Sequence, residues 1–351
     1  MVMQKVRFGV VGAGGIARRR TIGEVQKYAQ HGEIYALMDV DQKLLNETAR
    51  EFGVDRTFSS LEELLREDIE AVYVASPVYA HHAQVLAALR AGKHVLCEKP
   101  LALNRKEAEE MAELAEKVGL RLGVGYMMRY NVYHRKIKEL IAEGTLGQLV
   151  AGRAQLTCWY PPLPSAWRQV KKLGGGGALM DMGGHCIDLL EWFLGKARAV
   201  FGFIDTVVHS YEVEDTATVL LKFENGAQGV VDNYFNVPDK AARNLLEIYG
   251  TKGAIFAENT IGQDGGGNLF FCQASGEMYD ATQKRVEAPY EKITLTPEPL
   301  YAQEVDAFSL WVRGGAKPEI HYEIGLRNLQ VVEAAYRAGR EGKMITLDGY
   351  A

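Results

Sequence analysis

The chain has 351 residues, 47% of them hydrophobic and 24% charged, and its 45 acids against 40 bases give a formal net charge of −5. That length exceeds one ordinary core and fits two domains, while the acidic balance argues against a nucleic-acid or membrane-surface partner, which normally calls for a basic face. No apolar run approaches the roughly 18 residues of a membrane span, and the N-terminus lacks a signal-peptide pattern. Cys97, Cys158, Cys186 and Cys272 lie far apart with no C-x-x-C, so they read as reduced thiols of a cytoplasmic protein.

Lys5 to Val11 is a short apolar run ending in glycines, the signature of a buried parallel strand. A helical pattern follows from Gly15 to Ala29, then a strand from Glu33 to Asp39 and a polar helix after Asp41. Leu61 to Arg66 forms a short helix and Ala71 to Ala75 a third strand. His82 to Ala91 is helical and stops at Gly92, His94 to Cys97 is a fourth strand, Arg105 to Val118 a patterned helix and Leu120 to Val124 a fifth strand. Strands alternating with helices at this spacing specify an α/β, doubly wound parallel sheet of the Rossmann type, with ligands at the carboxyl edge.

Within that edge, Gly12-Ala13-Gly14-Gly15-Ile16-Ala17 reads G-x-G-x-x-A between a strand and a helix. The first glycine permits the turn, the second allows backbone close to a pyrophosphate, and the small Ala17 lets helix and strand pack. Helix N-terminal N–H groups favour the phosphate charge. Asp39 ends the next strand, 22 residues past Ala17, where ribose hydroxyls bind; its bland alternative is a strand-end turn residue. A carboxylate there repels a 2′-phosphate and Val40 follows it, so NAD is expected over NADP. NADP stays possible through Lys43 and the run Arg18-Arg19-Arg20, itself more simply a solvated helix face.

After Gly125 the texture changes to α+β. A helix (Val132 to Glu143) and the run Gly174 to Gly177 lead into a helix from Asp181 to Leu194. Strand-like runs follow at Ala199 to Val208, Ala217 to Phe223, Ala227 to Phe235 and Leu245 to Gly250, with Asn225-Gly226 as a hairpin signal. Two amphipathic helices, Tyr301 to Arg313 and Ile324 to Arg340, close the chain. The expected division is a dinucleotide-binding domain over 1–124 and a substrate and oligomerisation domain over 125–351, built on a large, mostly antiparallel sheet, with the last helices able to pack back on the first domain.

Two constellations carry chemistry. Lys99 closes the fourth strand in Cys97-Glu98-Lys99-Pro100, placing an amine at the carboxyl edge, with a candidate cis Lys99–Pro100 bond. A Glu-Lys pair before proline is otherwise a solvated turn. Asp181 and His185 are four apart on a predicted helix, so they share a face that Asp188 joins. An imidazole suits proton removal from a hydroxyl; the alternative is an acid at a helix start and a histidine packed in the core.

Ala75-Ser76-Pro77, His81, the stretch Ala91 to Pro100 and the stretch Gly175 to Asp188 together resemble the glucose–fructose oxidoreductase/inositol dehydrogenase (Gfo/Idh/MocA) family. The resemblance is detailed over residues 5 to 195 and generic beyond. It implies reversible hydride transfer between NAD(P) and a carbinol of a sugar, inositol or related polyol, with no metal. It further implies that Lys99 contacts substrate hydroxyl and nicotinamide ribose, that Glu98, Ser76, Pro77, His81 and Arg168 line the cofactor side, and that His185 and Lys99 form the acid/base pair, with either able to take the proton and Asp181 positioning substrate. Arg129, Tyr160 and Trp167 are candidate substrate contacts, although Met127 and Met128 depart from the family pattern, and His134 has no counterpart role. A homodimer or homotetramer through the C-terminal sheet is expected. Two rivals are an NAD-recycling, redox-neutral enzyme of glycosidic elimination and a non-catalytic dinucleotide sensor.

Overall fold

The computed structural model describes residues 4–274, 281–282 and 288–347, which divide into two compact units. Unit 1 comprises 1–127, 165–175 and 299–330; unit 2 comprises 128–164, 176–298 and 331–351. Two stretches well beyond residue 125 therefore fold with the N-terminal part. Among the described residues no helix is long and apolar enough to cross a membrane.

Unit 1 is built on strands β1 (Val6–Val11), β2 (Gly32–Met38), β3 (Thr57–Phe58), β4 (Ala71–Val74), β5 (His94–Glu98) and β6 (Leu122–Gly125). All pair in parallel, in the order β3-β2-β1-β4-β5-β6. The reversal of order beside β1 is the switch point at which such sheets open a crevice. Near-continuous burial along β1, β4 and β5 shows that helices cover both faces. Those helices are α1 (Ile22–Tyr28), α2 (Gln42–Phe52), α3 (Leu61–Arg66), α4 (Val78–Arg90) and α5 (Arg105–Val118). Local chemistry starts and stops them. Asp41 caps α2 by accepting from the Lys43 and Leu44 amides, Ser60 caps α3, Asn104 caps α5, and Gly53 and Gly119 end their helices in the left-handed region. Helix α4 starts at Val78, one turn earlier than His82, because Pro77 sets its entry.

Unit 2 carries α6 (Val132–Ala142), then β7 (Leu149–Thr157). Unit 1 resumes with the short α7 (Lys171–Gly174), after which unit 2 continues with α8 (Gly184–Leu194), β8 (Ala197–Asp205), β9 (Thr216–Phe223), β10 (Gln228–Tyr234), β11 (Leu245–Gly250), β12 (Gly253–Glu258), β13 (Asn268–Gln273) and β14 (Glu291–Ile293). With β15 (Ile345–Thr346) these strands form a nine-stranded sheet among the described residues, antiparallel throughout except where β7 and β10 run parallel. The Asn225-Gly226 turn joins β9 to β10, with Gly226 at φ +90° and Asn225 accepting from the Ala227 amide. Central β7 had no clear strand signal. Its inward positions are small because α8 packs on it: a Cβ on Gly152 would lie 2.9 Å from Leu194 and 3.1 Å from Leu190. Two further helices are α9 (Leu300–Val312), in unit 1, and α10 (Tyr322–Glu341).

Candidate active site

The glycine-rich turn of unit 1 is held by its neighbours in the sheet. Gly12 has φ +91°, and a Cβ there would lie 2.6 Å from the Ser76 amide nitrogen, so only glycine lets the two turns touch. The Asp39 carboxylate accepts from the Ala13 amide at 2.9 Å through one oxygen and from the Asp41 amide at 2.9 Å through the other. Each oxygen can accept a further hydrogen bond. Gly15, at φ +48°, has open space where a side chain would stand, as a phosphate-approaching backbone requires. Ile16 leads into a five-residue π-helical stretch, Ala17–Thr21, a widening that recurs at functional sites. Arg18 forms ion pairs with Glu47 at 3.2 Å and Glu51 at 2.7 Å on α2, so this member of the arginine run is engaged with α2. These residues fit a dinucleotide: a glycine cradle, a helix start and an acid at the end of β2.

At the far side of the switch point, Lys99 follows β5 and its peptide bond to Pro100 is cis. Glu98 is buried; it accepts from the Tyr73 hydroxyl at 2.5 Å and from the Lys99 amide at 3.2 Å. Burial raises the Glu98 carboxyl, opposed by the Tyr73 hydrogen bond and the charges of Lys99 and Arg168. Arg168 belongs to unit 1 and its guanidinium lies 4.2 Å from the centre of the Trp167 ring. Pro77 precedes α4, and the Ser76 hydroxyl meets Gln84 at 2.5 Å. His81 is enclosed rather than lining a crevice: one ring nitrogen meets the Ser76 carbonyl at 2.8 Å and the other the Pro100 carbonyl at 3.0 Å. It ties together the two turns that carry Ser76 and Lys99, and burial lowers its affinity for a proton against the pull of those carbonyls.

In unit 2 the glycine run leads into a second π-helical stretch, Leu179–Gly183, continued by α8. Asp181 stands in it, half-buried, and His185 follows in the first turn of α8 with only 6% exposure. Asp188, three residues on, pairs with Arg129: Nη2 to Oδ1 is 2.7 Å and Nε to Oδ2 is 3.0 Å, with both side chains buried. The Arg129 guanidinium also lies 5.4 Å from the Trp192 ring centre. Asp188 thus binds an internal arginine, and Arg129 ties the 127–130 turn to α8. Tyr160 packs on Phe235 with ring centres 5.0 Å apart, and the Tyr211 hydroxyl donates to its carbonyl at 3.1 Å. His134 is fully buried between the Met128 carbonyl and the Thr260 hydroxyl, and burial pushes it down to about 4, so it stays neutral.

Two residues that set this helix start escape the sequence motifs. Glu214 accepts at one carboxyl oxygen from the Tyr336 hydroxyl at 2.6 Å and from the Leu179 amide at 3.0 Å, and its carbonyl accepts from the Ala178 amide at 3.1 Å. A Cβ on Gly176 would stand 1.9 Å from the Tyr336 hydroxyl, and one on Gly177 1.9 Å from the Glu214 carbonyl oxygen. The glycine pair signals a close approach; nothing local says by what. Glu214 lies in an acidic run that reads as a solvated turn, and Tyr336 in an ordinary amphipathic helix.

The matches to known proteins agree with this geometry. A family profile described as "Oxidoreductase family, NAD-binding Rossmann fold" matches residues 6–126, and one described as "GFO/IDH/MocA C-terminal domain" matches 134–256. The chain belongs to the Gfo/Idh/MocA oxidoreductase family. Its relatives in that family include 1,5-anhydro-D-fructose reductase of Ensifer adhaerens, 31% identical over 97% of this chain and 98% of the relative. Myo-inositol 2-dehydrogenase of Thermotoga maritima is 28% identical over 98% and 99%. Among solved structures, the WlbA dehydrogenase of Bordetella pertussis, in complex with NADH and UDP-GlcNAcA, superposes with a TM-score of 0.81 at 26% identity, covering 99% of this chain and 100% of that one. Aldose-aldose oxidoreductase from Caulobacter crescentus reaches 0.87 at 24% identity, covering 98% and 100%, which speaks for the fold. The Gfo/Idh/MocA chain described here is therefore an NAD(P)-dependent oxidoreductase.

Proposed function

We propose that this enzyme transfers a hydride between nicotinamide and a carbinol carbon of a sugar, inositol or related polyol, with Lys99 and His185 as the acid/base pair. The observation that carries the reading is the placement of Lys99: an amine at the carboxyl end of β5, its backbone tied to a buried Glu98, in a fold whose relatives act on a fructose derivative and on myo-inositol. Bound NAD supplies the hydride acceptor, or in its reduced form the donor. Gly12, Ala13, Gly14, Gly15 and Ile16 hold the pyrophosphate, and Asp39 accepts from the ribose hydroxyls, which favours NAD over NADP. Ser76, Pro77 and Arg168 hold the nicotinamide half of the cofactor, with His81 and Glu98 bracing them from behind. His185 takes the hydroxyl proton in the oxidative direction and returns it in reduction. Lys99 polarises the same oxygen, Asp181 orients the substrate, and Tyr160 and Trp167 shape the space the substrate enters. Self-association through the nine-stranded sheet belongs to the same reading, because Phe203 and Leu220 stand exposed on one face of it.

The test is a screen of sugars and polyols with NAD and NADP, following absorbance of the reduced cofactor. Wild-type turnover with NAD is expected, with Lys99→Ala and His185→Ala each losing about 100-fold or more in kcat while still binding NAD. Full activity in both variants would remove the pair from the mechanism. Product formed without net NADH would replace the dehydrogenase with a redox-neutral elimination.

A further inference from the structure

Unit 1 buries two neighbouring carboxyl groups, Glu98 at the end of β5 and Glu304 on α9, and among the described residues only Glu98 has hydrogen-bond donors. Glu98 has two: the Tyr73 hydroxyl at 2.5 Å and the Lys99 amide at 3.2 Å. Tyr73 meets the Thr21 hydroxyl at 3.0 Å, so Glu98 sits at the end of a buried chain of hydroxyls. Glu304, on α9, is 0% exposed, and neither of its carboxyl oxygens has a hydrogen-bond partner among the described residues.

Helix α9 packs against α1, β2, β5 and the π-helical stretch Ala17–Thr21. The charged groups that reach Glu304 across those contacts are Glu98 on β5 and Glu24 on α1, both acids. Tyr73 and Tyr301 complete the cluster, and the cation acting on Glu24 and Tyr301 is Arg20. An ionised carboxylate with no donor does not persist in an interior, and two neighbouring buried carboxyls do not both ionise. Donors then decide where the charge resides. Glu98 has hydrogen-bonding partners for a negative charge and Glu304 has none. Burial, reinforced by the charges of Glu98 and Glu24, pushes the Glu304 carboxyl well above the ordinary glutamate range.

We propose that Glu304 is a positioning residue for the hydride-transfer site: it stands as a neutral carboxylic acid behind Glu98, and through Glu98 it keeps the backbone at Lys99 in place. The catalytic part of this inference rests on the role given to Lys99 above; the protonation of Glu304 does not. A neutral Glu304 leaves Glu98 free to carry the charge that Tyr73 and the Lys99 amide stabilise. An ionised Glu304 would repel Glu98 and disturb the turn that Lys99 belongs to.

The sign of the linkage makes this testable. The folded protein retains a proton on Glu304 that the unfolded chain releases above the ordinary glutamate value of 4.5. Wild-type stability therefore decreases as pH rises from that value toward the raised one, and a glutamine, which never titrates, lacks the effect. Thermal unfolding of wild type and Glu304→Gln is compared from about pH 5 to about pH 9, with NAD titration to show that each is folded. The Tm of Glu304→Gln relative to wild type is expected to grow by roughly 2 °C per pH unit over the window. A difference that stays constant with pH overturns the proposal. For positioning, Glu304→Gln is expected to keep kcat within about twofold at neutral pH, while Glu304→Ala, which empties the space behind Glu98, loses about tenfold in kcat with KM for NAD unchanged. Equal kcat losses in both variants overturn the positioning role. Should Glu304→Gln lose NAD binding, Glu304→Leu carries the same comparison of Tm against pH. Full activity in Lys99→Ala would remove the role given to Lys99, while the Tm comparison would still decide the protonation of Glu304.

Discussion

Two glycine-rich segments of this protein lead into helices, and each helix begins with a five-residue π-helical stretch, Ala17–Thr21 in one case and Leu179–Gly183 in the other. The first is held by the ends of adjacent strands. Gly12 abuts Ser76, just past β4, and the Ala13 amide donates to Asp39, just past β2. The second is held by residues from far along the chain: Gly177 abuts the Glu214 carbonyl, and Gly176 the hydroxyl of Tyr336. Similar local patterns thus have different guarantors. A turn braced by its own sheet carries its meaning in a short motif, whereas a helix start braced from a distance does not.

The sharpest way to separate the two is a single methyl group. In Gly177→Ala the added carbon meets backbone at 1.9 Å, which no rotamer change relieves. We expect a loss of about 3 kcal/mol or more of stability, read as a large drop in Tm or as insoluble protein. Tyr336→Phe is gentler. It keeps the ring and removes the donor from the buried Glu214, so a loss of about 1–3 kcal/mol is expected in denaturant unfolding, and kcat is expected to fall more than KM changes. An unchanged kcat would show that the helix start keeps its geometry without that bond. Gly15→Ala should do least, because nothing lies within 4 Å of the added carbon and only the positive φ of +48° opposes it. The expected cost is about 1 kcal/mol in stability, with any larger effect confined to NAD affinity.

Much of unit 1 was legible because its evidence is local. The order of strands and helices, the helix that begins after Asp41 and the stop at Gly92 follow from residues within a turn of the places they act. The positive φ of Gly12 and Gly15 belongs to the same class of local evidence, whereas the hydrogen bond from the Ala13 amide to Asp39 joins the ends of two strands. Other residues changed meaning on folding. His81 looks like a cofactor ligand in the sequence but spans two backbone carbonyls in the interior. Arg129 reads as a donor to substrate, and the fold engages it with Asp188. Strand β7 shows why unit 2 was harder: a central strand that lies under a helix needs small residues such as Gly152 and Ala154, and these carry no strand signature.

Residue type and spacing were enough to specify the dinucleotide-binding fold of this enzyme, since a glycine turn, a helix start and an acid at the end of the next strand belong to one strand–helix–strand unit. The supports of the chemistry were settled only by folding. Glu304 behind Glu98, and Glu214 with Tyr336 behind the start of α8, matter because of what they are buried against. Burial of a polar group is a property of the whole packed unit, which no local window of sequence contains.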